Sequence, residues 1–438
     1  MINSVCIKGG VRLVGEVTPI PNKNSILPAL IASLLTNKDM IYHSVPNSTD
    51  VNLILKILEK LGAVIDLVDY NNLKINCSNV KSFKIDPELG SRFRASILFV
   101  GPLLARFGKA QVPLPGGCFL GRRSIASHID VFTKFGANFS ISKGFAFFTL
   151  PKILKSSISS FVWQIEASPT GTENFLMLAA SISKTVTLYN AACEPHVTDL
   201  LCLLEKMGVT VKGFGTNIVT IKGGNLLGAE FTPRPDHIDI ADYMVAAAIT
   251  DGRITIKGAN LPDVVGGIVS NLLEFGVGVE SVGKDIIVFR ERELEIKWKI
   301  SSMPLALDAM PKFVPRPWPG FPVDALPSVV VLATRSKGKT LLMNWMYETG
   351  FTFVSSLIKL GASIIEPDPQ KIIVEGPCTY KSDEVTAPGV IQGAKALFLA
   401  SLCDPVKITI NGVDILKRRY PDIFEVYKKL GARIKILP

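Results

Sequence analysis

Ile54-Leu-Lys-Ile-Leu-Glu-Lys-Leu-Gly-Ala-Val-Ile-Asp-Leu-Val68 is the stretch that decides the fold. Ile54, Leu55, Ile57, Leu58 and Leu61 follow the helical apolar period, so the first half reads as an amphipathic helix. Gly62 suits the residue after the last helical turn, where a left-handed backbone is needed. The residues beyond Ala63 read as a strand.

The same helix end recurs at Phe135-Gly136-Ala137, Met207-Gly208-Val209, Phe275-Gly276-Val277, Leu360-Gly361-Ala362 and Leu430-Gly431-Ala432. The glycines stand roughly 70–85 residues apart, a fixed period that marks a repeated structural unit. Leu200-Leu-Cys-Leu-Leu-Glu-Lys-Met207 repeats the helical pattern, and Ser363-Ile-Ile and Arg433-Ile-Lys-Ile repeat the strand. Upstream of the helices lie further strand-like pieces, Thr187-Leu-Tyr and Ile254-Thr-Ile. Each unit is a β/α element that cannot bury its faces alone. Six of them divide into two groups of three, with a crossover expected at Thr232-Pro-Arg-Pro-Asp236, where two prolines break regular structure. The fold class expected is α/β (α+β), in two domains.

Bulk properties agree. The 438 residues are 47% hydrophobic, enough for two cores, since single cores stop growing near ~250–300 residues. Apolar stretches such as Ile26–Leu35 fall short of the ~20 residues of a membrane span. The start lacks the basic and apolar regions of a signal peptide, so a cytoplasmic protein without membrane partners is expected. The net charge of +10 is spread along the chain. It comes with no recognition-helix, RNP or zinc-finger pattern, so nucleic acid is the weaker reading and anionic small substrates the stronger. The seven cysteines have wide spacings and no C-x-x-C, which indicates neither a disulfide framework nor a zinc site.

Three constellations carry chemistry. Lys23-Asn24 lies beside the apolar stretch Ile26–Leu35, where free backbone N–H groups make an anion site. Arg94, in Phe93-Arg94-Ala95-Ser96, also stands at a helix start. In Leu114-Pro115-Gly116-Gly117-Cys118-Phe119-Leu120-Gly121-Arg122-Arg123 a thiol lies among glycines and cations, a setting that favours thiolate formation and proton transfer. The other signals are bland. Gly338-Lys339-Thr340 lacks the glycine a phosphate loop needs, because Ala333 stands there. His43, His128, His196 and His237 have no metal-ligand spacing. Glu194 and Asp199 read as solvated helix-start charges, and Asp239 and Asp242 as the N-terminal charges of a helix Tyr243–Ile249. The proline-rich stretch Met310–Pro322 reads as an ordered loop delivering a residue to a site.

These motifs, with Gly101-Pro102-Leu103, Gly171-Thr172-Glu173-Asn174, Glu194-Pro195, Phe321-Pro322-Val323-Asp324 and Arg418 ahead of Tyr420, resemble the enolpyruvyl transferases over essentially the whole chain. The similarity is to those that act on UDP-N-acetylglucosamine. The related shikimate-pathway signatures Gly-Ser-Lys-Ser and Asn-Ala-Gly-Thr are not found. The resemblance implies an inside-out α/β barrel fold of two similar domains, 22–232 and 1–21 plus 233–438, with the site between them. It implies transfer of enolpyruvyl from phosphoenolpyruvate to a sugar 3-hydroxyl, with no metal or other cofactor. Cys118 would be the proton donor and Asp324 the base or hydroxyl-orienting group. Lys23, Arg123 and Arg418 would clamp phosphoenolpyruvate. Asn24, Arg94, Ser124, Ile125, Ala126, Ser127, Ser168 and Met346 would line the nucleotide-sugar site.

Five positions depart from that family's pattern. Ala126 replaces an aspartate, Gly350 and Gln392 replace arginines, and Pro21-Asn22 replaces a glycine-alanine pair. Lys417, Arg419 and Arg122 are the cations placed to compensate. The departures bear on the acceptor, leaving open a paralogue that uses another nucleotide or sugar and a non-catalytic binding relative.

Overall fold

The computed structural model describes residues 4–114, 125–151, 160–296 and 310–437. These divide into two compact units. One contains residues 4–20, 235–296 and 310–437, the other 21–114, 125–151 and 160–234. Each has its own apolar core.

The six glycines of the repeat all take positive φ, between 97° and 109°. The helices Thr49–Leu61, Ala126–Lys134, Pro195–Lys206, Pro262–Leu273, Val354–Lys359 and Ile423–Lys429 end just before them. At the first, Gly62 N–H donates to Glu59 and Ala63 N–H to Leu58, tying off carbonyls the helix leaves unpaired. A residue with a Cβ would be strained at these six positions.

The periodicity marks only half of the helices. Each unit also has three mostly buried helices: Lys23–Ala32, Val100–Phe107 and Pro169–Ala179 in one, His237–Ile249, Leu326–Arg335 and Ile391–Ala400 in the other. A helix apolar on every side shows no period and must lie inside. Gly101 lets two of them approach, since a Cβ there would meet the Asn174 carbonyl oxygen at 2.0 Å. The expected helix Ile26–Leu35 is one of these and begins earlier. Asn22 caps it by accepting from Asn24 N–H, so Lys23 is its first residue.

The repeat that contains Asp324 shows the plan. Lys312–Phe313 pairs in parallel with Gly338–Met343, and the buried helix Leu326–Arg335 connects them. The amphipathic helix Val354–Lys359 follows, then the antiparallel hairpin Ser363–Asp368 and Lys371–Gly376. The same plan gives five four-stranded sheets and one of three strands among the described residues. The sixth sheet is completed by the N-terminal strand. Ser4–Lys8 lies between Lys407–Asn411 and Arg433–Leu437, antiparallel to both. Val14–Val17 then joins Arg253–Ile256 in parallel. Among the described residues no helix is long and apolar enough to cross a membrane.

Candidate active site

In the unit that contains residue 324, the proline-rich stretch leads into a short 3₁₀ turn, Val323–Ala325, at the entrance of the buried helix Leu326–Arg335. Phe313 and Phe321 pack edge to face at 4.9 Å and anchor this approach. Asp324 is half-buried. Its Oδ1 accepts from the Tyr347 hydroxyl at 3.0 Å and from Gln392 Nε2 at 2.9 Å. Met346 precedes Tyr347 in the same loop and is also half-buried. Arg418, half-buried, ends the 3₁₀ turn Val413–Arg418.

Arg419 and Lys417, the cations expected to compensate, each already face a carboxylate, and the Arg419 charge also acts on Asp324. Arg419 is 3% exposed and holds Asp236 through both carboxylate oxygens, at 2.6–2.9 Å. Burial alone would raise the Asp236 carboxyl, but the guanidinium outweighs it and keeps it below its ordinary value. Lys417 pairs with Asp414 at 3.0 Å. Arg122 lies outside the described residues.

Asp239 and Asp242 are not exposed helix-start charges. The helix runs His237–Ile249 and both carboxylates lie inside. Asp242 accepts from Tyr420 Oη at 2.8 Å and from the Ser328 hydroxyl, with Lys395 Nζ 3.7 Å away. Lys395 is itself buried, 4.4 Å from the Tyr420 ring centre and 4.8 Å from that of Tyr427. Nothing in the local sequence marks this network, because its members come from three buried helices and the stretch after Arg418.

In the other unit, Lys23 is 8% exposed and its Nζ lies 2.6 Å from Asp50, a partner the sequence did not announce. Asn24 follows it, half-buried. Arg94 opens the 3₁₀ turn Arg94–Phe99. Ile125 caps the helix Ala126–Lys134, where Ala126 is exposed and Ser127 buried. Ser168 caps the helix Pro169–Ala179 by accepting from Gly171 N–H. The two starts are adjacent, since a Cβ on Gly171 would lie 3.3 Å from Ser168 and 3.5 Å from Ser127. The unit thus brings Ser127 and Ser168 together.

His128 holds that junction. Asn174 Oδ1 accepts from Gly101 N–H, so its Nδ2 is the donor to His128 Nδ1 at 3.0 Å. That leaves His128 Nε2 to donate to Thr170 Oγ1 at 3.2 Å. Burial, and then the Arg94 charge, lowers the imidazole to about 3, so it is neutral. Asp199 is buried rather than solvated, while Glu194 is half-buried at the start of the helix Pro195–Lys206. Asp199 accepts from Arg234 Nε at 2.6 Å and from the Ser25 hydroxyl. Burial, then Glu194 and Asp199, raise the Glu173 carboxyl well above its ordinary range. His196 lies 3.8 Å from Glu173. Cys118, Arg123 and Ser124 lie outside the described residues.

Comparison with known proteins agrees in both sequence and fold. The family model for EPSP synthase (3-phosphoshikimate 1-carboxyvinyltransferase) matches residues 7–427. The chain is 34% identical over 436 residues to the UDP-N-acetylglucosamine 1-carboxyvinyltransferase of Borrelia garinii subsp. bavariensis, covering 99% of this chain and 98% of that one. It is 34% identical over 433 residues to the enzyme of the same name from Bradyrhizobium diazoefficiens, covering 99% and 97%. The enolpyruvyl transferase NikO from Streptomyces tendae superposes with a TM-score of 0.83 at 20% identity, over 99% of both chains. EPSP synthase from Acinetobacter baumannii superposes with a TM-score of 0.74 at 18% identity, over 100% of both. At these identities the structural likeness is one of fold. The full-length sequence matches carry the membership: the chain belongs to the EPSP synthase family, the enolpyruvyl (1-carboxyvinyl) transferases.

Proposed function

We propose that this chain transfers the enolpyruvyl group of phosphoenolpyruvate to the 3-hydroxyl of UDP-N-acetylglucosamine and releases phosphate, the first committed step of peptidoglycan synthesis. The observation that carries the reading is the 34% identity, over nearly the full length of both chains, to relatives named for that reaction.

The steps balance without a redox partner. The methylene carbon of phosphoenolpyruvate takes a proton, from Cys118 in this reading. The sugar hydroxyl bonds to the adjacent carbon and gives its proton to Asp324. Loss of phosphate, with one methyl proton returning to the Cys118 thiolate, restores the double bond. Lys23, Arg123 and Arg418 hold the phosphate and carboxylate of phosphoenolpyruvate, where charge-assisted hydrogen bonds are the strong ones. Asn24, Arg94, Ser168, Met346 and the stretch Ser124–Ser127 contact the nucleotide sugar.

One observation favours a second reading of the acceptor. Ala126 is exposed in the first turn of its helix and offers no carboxylate to a nucleotide. Transfer to another nucleotide or sugar is therefore the alternative. Incubation with phosphoenolpyruvate labelled with ¹³C at the methylene carbon and UDP-N-acetylglucosamine distinguishes them. The first reading expects the label in a vinyl ether on the sugar. Label remaining in phosphoenolpyruvate, with the protein folded, would rule it out.

A further inference from the structure

The two positions where the family's arginines are missing lie around Asp324. Gln392 is one of them, and it donates to Asp324 Oδ1 at 2.9 Å. Gly350 is the other, and it ends the loop that brings Tyr347 to the same oxygen at 3.0 Å.

The loop's geometry explains why position 350 has no side chain. A Cβ on Gly350 would lie 2.0 Å from Asn344 Nδ2 and 2.7 Å from its Cγ. Asn344 is 1% exposed, and its Oδ1 accepts from Tyr347 N–H at 2.9 Å. Gly350 N–H in turn donates to the Tyr347 carbonyl at 3.2 Å. Gln370 fixes the loop's base by donating from Nε2 to the Asn344 carbonyl and accepting Asn344 N–H at its own. The space a side chain at 350 would need is filled by Asn344, which turns the loop under Tyr347.

The donor type matters as much as the position. A guanidinium typically grips a carboxylate through both oxygens and stabilises its charge. A phenol and an amide are neutral, and here both donate to Oδ1. Oδ2 accepts no hydrogen bond from any described residue. We infer that Tyr347 and Gln392 are positioning residues for Asp324, two neutral donors that fix one carboxylate oxygen and leave the other to take the acceptor hydroxyl's proton. The loop with Gly350 and Asn344 exists to deliver the first of them. This rests on the reading of Asp324 as the base.

The test compares Tyr347→Phe, Gln392→Leu and Asp324→Asn, alone and combined, with phosphoenolpyruvate and UDP-N-acetylglucosamine as substrates and melting temperature as the check on folding. Tyr347→Phe keeps the ring, so it isolates the hydroxyl. Each positioning variant should lower kcat about tenfold, the scale of a lost hydrogen bond to a charged group, while KM for phosphoenolpyruvate moves less than about twofold. In the Asp324→Asn background the residual rate should fall no further when either is added. An unchanged kcat in both variants, with Asp324→Asn inactive, overturns the positioning role and leaves the base intact. Equal losses with and without Asp324 overturn it as well, because the effect would then be structural. Wild-type turnover by Asp324→Asn would instead overturn the base reading itself.

Discussion

Arg418 and Arg419 are neighbours with opposite fates. Arg419 turns inward to Asp236, and Arg418 ends its 3₁₀ turn half-buried. Only the resemblance singles out Arg418; composition alone does not, because which of the two neighbours meets a buried carboxylate depends on Asp236, far away in the chain. Lys23 teaches the same lesson. Its position beside Asn24 was legible, but its pairing with Asp50 depends on a second helix. Cys118 is the opposite case. Its glycines and arginines mark it in the sequence alone, which makes it open to direct test. An epoxide analogue of phosphoenolpyruvate should alkylate Cys118 and shift the mass of that peptide alone. Cys118→Ala should then lose roughly a hundredfold or more in kcat, the scale of general acid catalysis, and Cys118→Asp should keep part of it. Labelling at a different cysteine would overturn the assignment.

At the scale of elements, the amphipathic helices and their glycine stops were readable because one face is wet. Period and stop signal both survive in the residues. Of the mostly buried helices, two were readable as apolar runs, Ile26–Leu35 and Tyr243–Ile249, but a helix covered on most sides has no single face for a period to mark. The carboxylates of His237–Ile249 do stand near its N-terminal end, with Asp239 in the first turn, but local sequence does not show that packing puts this helix start in the core. That burial has a consequence for pH. Burial raises the Asp239 carboxyl from 3.8 to about 7, with Asp242 and Asp236 adding to the rise and Lys395 and the Ile20 N–H opposing it. A carboxyl raised on folding contributes stability that is full below about pH 4 and lost as pH climbs through about 7. Asp239→Asn can still accept from Ile20 N–H, which now donates to Oδ2. Its melting temperature should therefore exceed the wild type's at pH 8, with the gain shrinking toward pH 4. A difference that stays constant across that range would contradict the buried, raised carboxyl.

At the scale of the molecule, the two-unit organisation follows from the repeat count and from cores that are separate in each unit. The N-terminal strand Ser4–Lys8 pairs within the unit that ends the chain, supplying the strand its sixth repeat lacks. Nothing in residues 4–8 read alone shows that destination, because strand partners are chosen by the whole sheet. The reaction class was legible through the resemblance of the motifs to a known family; the residues alone gave a repeat and a thiol among cations. The acceptor was less so, since it depends on side chains such as Ala126 that are silent by what they lack. Phosphate release measured with phosphoenolpyruvate plus UDP-N-acetylglucosamine, UMP or no acceptor tests the central claim most directly. The account predicts release in step with UDP-N-acetylglucosamine consumption and none above background in the other two. Release with UMP but not with UDP-N-acetylglucosamine, or release with neither, would contradict it.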